Sequence, residues 1–250
     1  MACTETFSVR GQGRTSMNKW IDFHTHVLPA VDDGSTDLQM SVSMLEQAWE
    51  QGVTTVVATP HFYAHNDKPD DFLARRAEAF DQLQQCVAGR EDVPALKLGA
   101  EVYYYPSISD SAVLSDLTIG SKAAILIEMP ATAWTDDMYR ELEQIYIKQG
   151  LTPVIAHIDR YLTPFNSYKI LKNLSKLPVL IQVNAGFFIN PKTQKKALSL
   201  LRKGKIQFLG SDCHDLQHRG PNMQGALEVI AQHLGESGLA YLQNWQSEIL

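Results

Sequence analysis

The chain has 250 residues, a mass of 28.0 kDa, a net charge of −6 and a pI near 5.7. That acidic balance excludes general nucleic-acid or membrane-surface binding as the main activity. No apolar run approaches the roughly 20 residues that cross a bilayer. Cys3, Cys86 and Cys213 are few and odd in number, which argues against a disulfide framework and for a reducing, cytoplasmic setting.

Residues 1–18 are polar and lack the apolar stretch of a secretion signal. They are expected to form a disordered leader or an upstream extension, with Met17 a candidate start. Residues 19–250 are expected to be one domain, since no linker or long charge run divides them. A strand is predicted over 20–24. A helix follows over 37–51, where Leu38, Val42, Leu45 and Trp49 recur at helical spacing ahead of Gly52. Next come a strand over 53–58 and a helix over 70–88 with Leu73, Ala77, Phe80, Leu83 and Val87 as its apolar positions. Strands at 96–102, 123–128, 152–157, 178–184 and 206–211 then alternate with helices at 135–149, 165–176, 191–203 and 222–235. The strands are rich in Val, Ile, Leu and Ala with few polar breaks, as strands buried on both faces should be. Seven strand–helix units in this length favour an α/β fold of distorted (β/α) barrel type, with a doubly wound open sheet as the alternative. No Gly-x-Gly-x-x-Gly follows a strand, so a dinucleotide site is unsupported.

Chemistry-bearing residues collect where the apolar runs end. His24-Thr25-His26 closes the first run, and residues two apart on a strand share a face. His61, Glu101, Glu128, His157, Asp212 and His214 stand at or just beyond later runs, and Asp33 lies in the loop behind the first. One imidazole at a strand end is commonly a hydrogen-bonded core histidine. Five such imidazoles with four acids point instead to a polynuclear metal centre. Glu101 and Glu128 interrupt apolar runs with no basic residue adjoining, so each needs a cation nearby. Asp33 is less distinctive, because Asp32-Asp33-Gly34 also reads as a turn.

Several stretches together resemble the polymerase-and-histidinol-phosphatase (PHP) superfamily. They are Asp22-Phe23-His24-Thr25-His26, Val31-Asp32-Asp33-Gly34, Thr59-Pro60-His61, Gly99-Ala100-Glu101, Leu126-Ile127-Glu128, His157-Ile158-Asp159-Arg160-Tyr161, Gly210-Ser211-Asp212-Cys213-His214 and Arg219-Gly220-Pro221. Within it the chain is similar to the bacterial manganese-dependent protein tyrosine phosphatases of capsular and exopolysaccharide operons. The resemblance implies a distorted seven-unit barrel with three divalent ions, manganese foremost and iron or zinc also suitable, at the C-terminal ends of the strands. It implies one ion on His24, His26, Glu101 and Asp212, with Glu101 bridging to a second on Glu128 and His157. It places a third on Asp33, His61 and His214, and gives Arg160 and Arg219 the phosphate. The implied substrate is a phosphotyrosine-bearing protein, a bacterial tyrosine autokinase; oligomeric state is left open. Four carboxylates and three divalent ions sum to about +2, and the arginines raise this to about +4, enough to draw a phosphate dianion to an acidic protein. A metal-bridging water of lowered pKa would be the nucleophile.

Other readings compete. Cys213 and Arg219 satisfy the Cys-x5-Arg spacing of cysteine-dependent phosphatases. The intervening loop has no glycine to turn successive N–H groups inward, and Asp212 opposes thiolate formation. A small-molecule phosphatase of the same superfamily, such as one acting on histidinol phosphate, and a non-catalytic binding module are the alternatives. Tyr103-Tyr104-Tyr105 either frames an aromatic ring or packs at the rim. Lys192, Lys195, Lys196, Arg202, Lys203 and Lys205 read as a solvated helix face.

Overall fold

The computed structural model describes residues 19–120, 123–162 and 167–249. The expected leader over 1–18 lies outside the described residues. The elements are β1 (Trp20–Thr25), α1 (Leu38–Glu50), β2 (Val53–Ala58), β3 (His61–Phe62), α2 (Pro69–Cys86), β4 (Ala95–Leu98) and β5 (Glu101–Tyr103). After these come β6 (Ala124–Glu128), α3 (Asp136–Gln149), β7 (Thr152–Ile155), α4 (Ser167–Leu174), β8 (Leu180–Asn184), α5 (Gly186–Ile189), α6 (Gln194–Arg202), β9 (Phe208–Gly210) and α7 (Met223–Ile249).

All strand pairs between these elements are parallel, in the orders β1-β2-β4 and β3-β5-β6-β7-β8-β9. The two sheets are continuous in backbone. β2 runs into β3 through Thr59-Pro60, and Gly99-Ala100 separates β4 from β5, so the strand expected over 96–102 is interrupted in its middle. Gly99 N–H donates to Ala58 O at 2.9 Å and Glu101 N–H to Pro60 O at 3.0 Å across that break. Gly99 must be small there, because a Cβ would meet Ile119 Cγ1 at 2.4 Å. At the other edge Asp212 N–H donates to His24 O (2.8 Å) and His26 N–H to Cys213 O (2.9 Å), which draws the segment behind β9 against β1. The result is a curled parallel sheet covered by helices.

Alternation along the strands sorts the core into two layers. Val57, Leu126, Val154 and Phe208 face the interior of the curl, where Phe23 and Phe208 stack at 4.1 Å. Val56, Ile125, Ile127 and Ile155 face the helices. The helix faces are turned by about one residue from the expected ones. α1 buries Ser41, Met44, Leu45 and Ala48, and α2 buries Phe72, Arg76, Ala79 and Leu83 while Ala77 is exposed. Arg76 explains the second shift. Its guanidinium is a core group, donating to Gly99 O (3.0 Å) and Asp116 O (2.6 Å), whereas a hydropathy pattern counts arginine as surface.

Helix ends follow local chemistry. Asp37 caps α1 by accepting from Met40 N–H at 2.9 Å. Thr135 caps α3, whose first turn carries Asp136 and Asp137, and Gly150 ends it at φ +67°. The helix expected over 222–235 stops at Gly235 only as a kink (φ +62°), and α7 resumes to Ile249. That extension returns beneath the curl: Gln246 Nε2 donates to Ile21 O (3.1 Å) and Ile249 joins the interior layer. The short α5 has no counterpart among the expected helices.

Candidate metal centre

Every strand-end residue singled out above reaches one place. Glu101, at the start of β5 and fully buried, is its hub. Its Oε2 lies 3.0 Å from His24 Nε2, 3.3 Å from His26 Nε2 and 3.1 Å from His61 Nδ1, and its Oε1 lies 2.7 Å from His157 Nε2. Asp212 Oδ1 stands 3.7 Å from His24 Nε2 and 3.5 Å from His26 Nε2. Glu128 Oε1 is 3.6 Å from His157 Nε2. On the open side Asp33 Oδ1 sits 3.5 Å from His61 Nε2 and 3.4 Å from His214 Nε2.

The donors crowd a common centre, and only some of them pair directly, as His157 Nε2 does with Glu101 Oε1. Glu101 Oε2 is buried amid three imidazole nitrogens, yet makes no properly directed hydrogen bond, and His61 Nδ1 and His214 Nε2 are buried without one too. His24 Nε2 and His26 Nε2 are 3.1 Å apart, and His157 Nε2 lies 3.1 Å from Arg160 Nη1 as well as near Glu101. One imidazole nitrogen cannot donate to a carboxylate and accept from a guanidinium at once. Nitrogen and carboxylate donors so arranged fit divalent metal ions. Three sets have donor atoms within 4.8 Å of one another: His26, Asp33, His61 and His214; His24, His26 and Asp212; and His61, Glu101 and Glu128. His26 and His61 are thus shared, whereas the sequence reading gave each to a single ion.

Protons already respond to this crowding. Burial opposes ionisation of Glu101, but the facing imidazoles of His24, His157 and His26 overcome it and hold the carboxyl well below its usual range. Asp212 is likewise depressed, with burial outweighed by the nearby imidazoles of His24 and His26. Burial alone would lower His24 and His26; their carboxylate neighbours raise both, so a proton competes with any cation for those nitrogens. Burial, and the nearby His26, push His214 down to about 4, which leaves it neutral and available as a donor. Two site residues sit in the left-handed backbone region, His157 at φ +28° and Asp212 at φ +55°.

Both arginines enter the cluster. Arg160 Nη2 and Arg219 Nη2 each donate to Asp212, the latter at 2.9 Å, and each side chain stays 41% exposed, enough to turn toward a ligand at the mouth. Cys213 offers no exposed thiol to a ligand. Its thiol is buried and pushed well above the usual range, by burial and then by Asp22. His65, which packs edge-on to Tyr63, and His233, which lines a surface hollow with Arg202 and Tyr241, stand outside these donor sets.

Residues 20–247 match the family model described as capsular polysaccharide synthesis, CpsB/CapC. The chain belongs to the CpsB/CapC family. The tyrosine-protein phosphatase YwqE of Bacillus subtilis is 32% identical over 241 residues, 92% of this chain and 91% of that protein. The tyrosine-protein phosphatase CpsB of Streptococcus agalactiae serotype III is 26% identical over 239 residues, 91% and 97% of the two chains. A solved chain from the work on YwqE and Streptococcus pneumoniae CpsB, described as unique metal-dependent tyrosine phosphatases, superposes with a TM-score of 0.76 at 28% identity, covering 90% of this chain and 95% of its own.

In this CpsB/CapC chain the geometry adds residues that the sequence reading passed over. Asp32 Oδ2 accepts from His26 Nδ1 (2.7 Å) and His61 N–H (2.9 Å), and its Oδ1 accepts from Gly34 N–H (2.9 Å). Gln182 Oε1 faces His24 Nδ1 at 3.3 Å and accepts from His157 N–H at 2.5 Å. Asn184 Nδ2 donates to Asp212 Oδ2 at 2.8 Å. Asp22, wholly buried and raised by that burial to about 6, accepts from Ser211 N–H at 2.8 Å and so ties β1 to the loop that carries Asp212.

Proposed function

We propose that this CpsB/CapC chain is a metal-dependent phosphotyrosine-protein phosphatase. His24, His26, Asp33, His61, Glu101, Glu128, His157, Asp212 and His214 are its metal ligands, and Arg160 and Arg219 its phosphate-binding residues. The observation that carries the reading is the convergence of three imidazole nitrogens on the unbonded Glu101 Oε2, with both guanidiniums at the rim. Three ions are inferred, manganese foremost, and these nine residues would hold them in the groups the resemblance implies.

Divalent ions held by these residues would supply positive charge for the phosphoryl oxygens and would lower the pKa of a water toward neutrality. The chain's own groups prepare for that. Asp32 holds a proton on His26 Nδ1, Gln182 on His24 Nδ1, and the Asp212 carbonyl, 2.9 Å away, on His214 Nδ1. In each ring Nε2 is thereby left with its lone pair toward the cluster. Arg160 and Arg219 orient the phosphoryl group by forked, charge-assisted hydrogen bonds and offset the charge that grows on its oxygens. A tyrosine phenolate, with a pKa of about 10, departs with less proton assistance than an alkoxide.

The curl is inferred to be a distorted seven-stranded barrel in which β2–β3 and β4–β5 each count as one interrupted strand; the bonds joining His24 to Asp212 and His26 to Cys213 support closure. Residues 19–250 are taken as one domain. Among the described residues no helix is long and apolar enough to cross a membrane. A cytoplasmic tyrosine autokinase of capsule or exopolysaccharide synthesis is the proposed substrate. The deciding experiment follows phosphate release from a phosphotyrosine peptide before chelation, after exhaustive chelation and after manganese add-back. Loss and recovery are expected; undiminished release after chelation refutes the proposal.

A further inference from the structure

Beside the cluster lies a hollow of about 340 Å³ whose inner boundary is formed by Glu128 and Arg160. Its walls follow those residues directly in the chain: Met129 comes after Glu128, and Tyr161 after Arg160. Trp134 and Ile170 complete the apolar surface, and Tyr103, level with Glu128 in the sheet register, stands at the edge. The polar ends of Tyr161 and Trp134 are already bonded. Tyr161 Oη donates to Met129 O (2.7 Å) and Trp134 Nε1 to Pro130 O (3.1 Å). The two rings meet at 5.1 Å and 63°, so they hold each other in place. These side chains give the hollow one apolar side, while Thr132, Lys169, Glu128 and Arg160 add polar lining, and its volume lies at the small end of the range for ligand pockets.

We infer that this hollow is a built seat for the phenol ring of the phosphotyrosyl group, with Trp134 and Met129 selecting aryl over alkyl phosphate esters. The inference rests on the phosphatase reading of the adjoining cluster. A phosphoryl group held by Arg160 places its ester substituent across the Glu128–Arg160 boundary, where a flat apolar group meets the preformed wall and an alkyl stub leaves most of it uncovered.

Hydrolysis rates cannot test this alone, because phenol is the better leaving group whatever surrounds it. Phenylphosphonate and methylphosphonate carry the same headgroup and no cleavable ester, so their binding to the manganese-loaded protein isolates the ring. Calorimetric titration is expected to give roughly 30-fold tighter binding of phenylphosphonate, the effect of covering a ring's worth of apolar surface. Trp134→Ala should reduce the ratio to roughly threefold or less. Ala131→Trp, at an exposed lining position that disturbs no core contact, should do the same by filling the seat. A wild-type ratio near one, or a ratio that neither variant changes, overturns the inference while leaving the phosphatase reading intact if the same preparation still hydrolyses phosphotyrosine peptide. Failure of that hydrolysis overturns the phosphatase reading and this inference with it.

Discussion

Replacing Asp32 with alanine removes one side chain that accepts three hydrogen bonds, from His26 Nδ1, His61 N–H and Gly34 N–H. Two consequences separate. The turn loses acceptors for two backbone donors, and leaving such groups unsatisfied costs about 1–3 kcal/mol each where water cannot reach them. Gly34 is sterically pinned, since a Cβ would lie 2.3 Å from His26 O, so the turn has little freedom to find new partners. A loss of about 3 kcal/mol is expected, a fall in Tm of roughly 6–12 °C for a chain of this size. The second consequence falls on His26, which no longer has its Nδ1 proton fixed. Loss of such an outer partner weakens metal affinity by about 10–100-fold, or about 1.4–2.8 kcal/mol. Competition against a chelating dye reads the affinity, and calorimetry of the metal-free protein reads the stability. Asp32→Asn keeps one oxygen and should fall between wild type and Asp32→Ala. If Asp32→Ala loses stability while its metal affinity stays within about threefold of wild type, Asp32 is a turn residue alone and the orienting argument fails.

Glu101→Ala is expected to remove more than one ion per chain, because its oxygens face four imidazoles, whereas Asp33→Ala, at the exposed rim, should remove one. Elemental analysis of the purified variants checks this, and equal losses contradict the proposed grouping. Cys213→Ser should retain full activity on phosphotyrosine peptide, since the thiol is buried and that burial pushes it well above the usual range. Inactivation of a folded Cys213→Ser protein restores the cysteine mechanism. Gly210→Ala would bring a Cβ to 2.6 Å from His24 Cβ and 2.8 Å from Gln182 Nε2. It should cost about 2 kcal/mol or more and loosen metal binding, read by thermal melts and dye competition; a variant with wild-type Tm and affinity contradicts the close β1–β9 approach.

The alternation of strand and helix was legible because parallel strands covered on both faces are apolar along their whole length, as Ala124–Ile127 and Val154-Ile155 are. Places where the pattern misled have specific causes. Gly99-Ala100 breaks a strand without breaking its apolar run, and Arg76 is core although charged. The candidate ligands were visible because acids and imidazoles at the ends of such runs have no innocuous explanation. The same logic applied to Gln182 and Asn184, polar breaks in Leu180–Asn184, would have found the groups that brace His24 and Asp212, but amides carry no charge to draw notice. Asp32 was hidden differently: Asp-Asp-Gly reads as a turn, and it is one, while its first carboxylate also serves the neighbouring imidazole.

The left-handed backbone of His157 and Asp212 carries an evolutionary consequence. Each non-glycine residue held there forfeits on the order of 1–3 kcal/mol of fold stability. A lineage drifting without demand for catalysis would accumulate glycine at 157 and 212, relieving strain and, at 212, uncovering Arg160 and Arg219 as a bare anion trap. Relatives that have lost the reaction should therefore be recognisable by what replaces those two side chains, and ought to melt later than their active cousins.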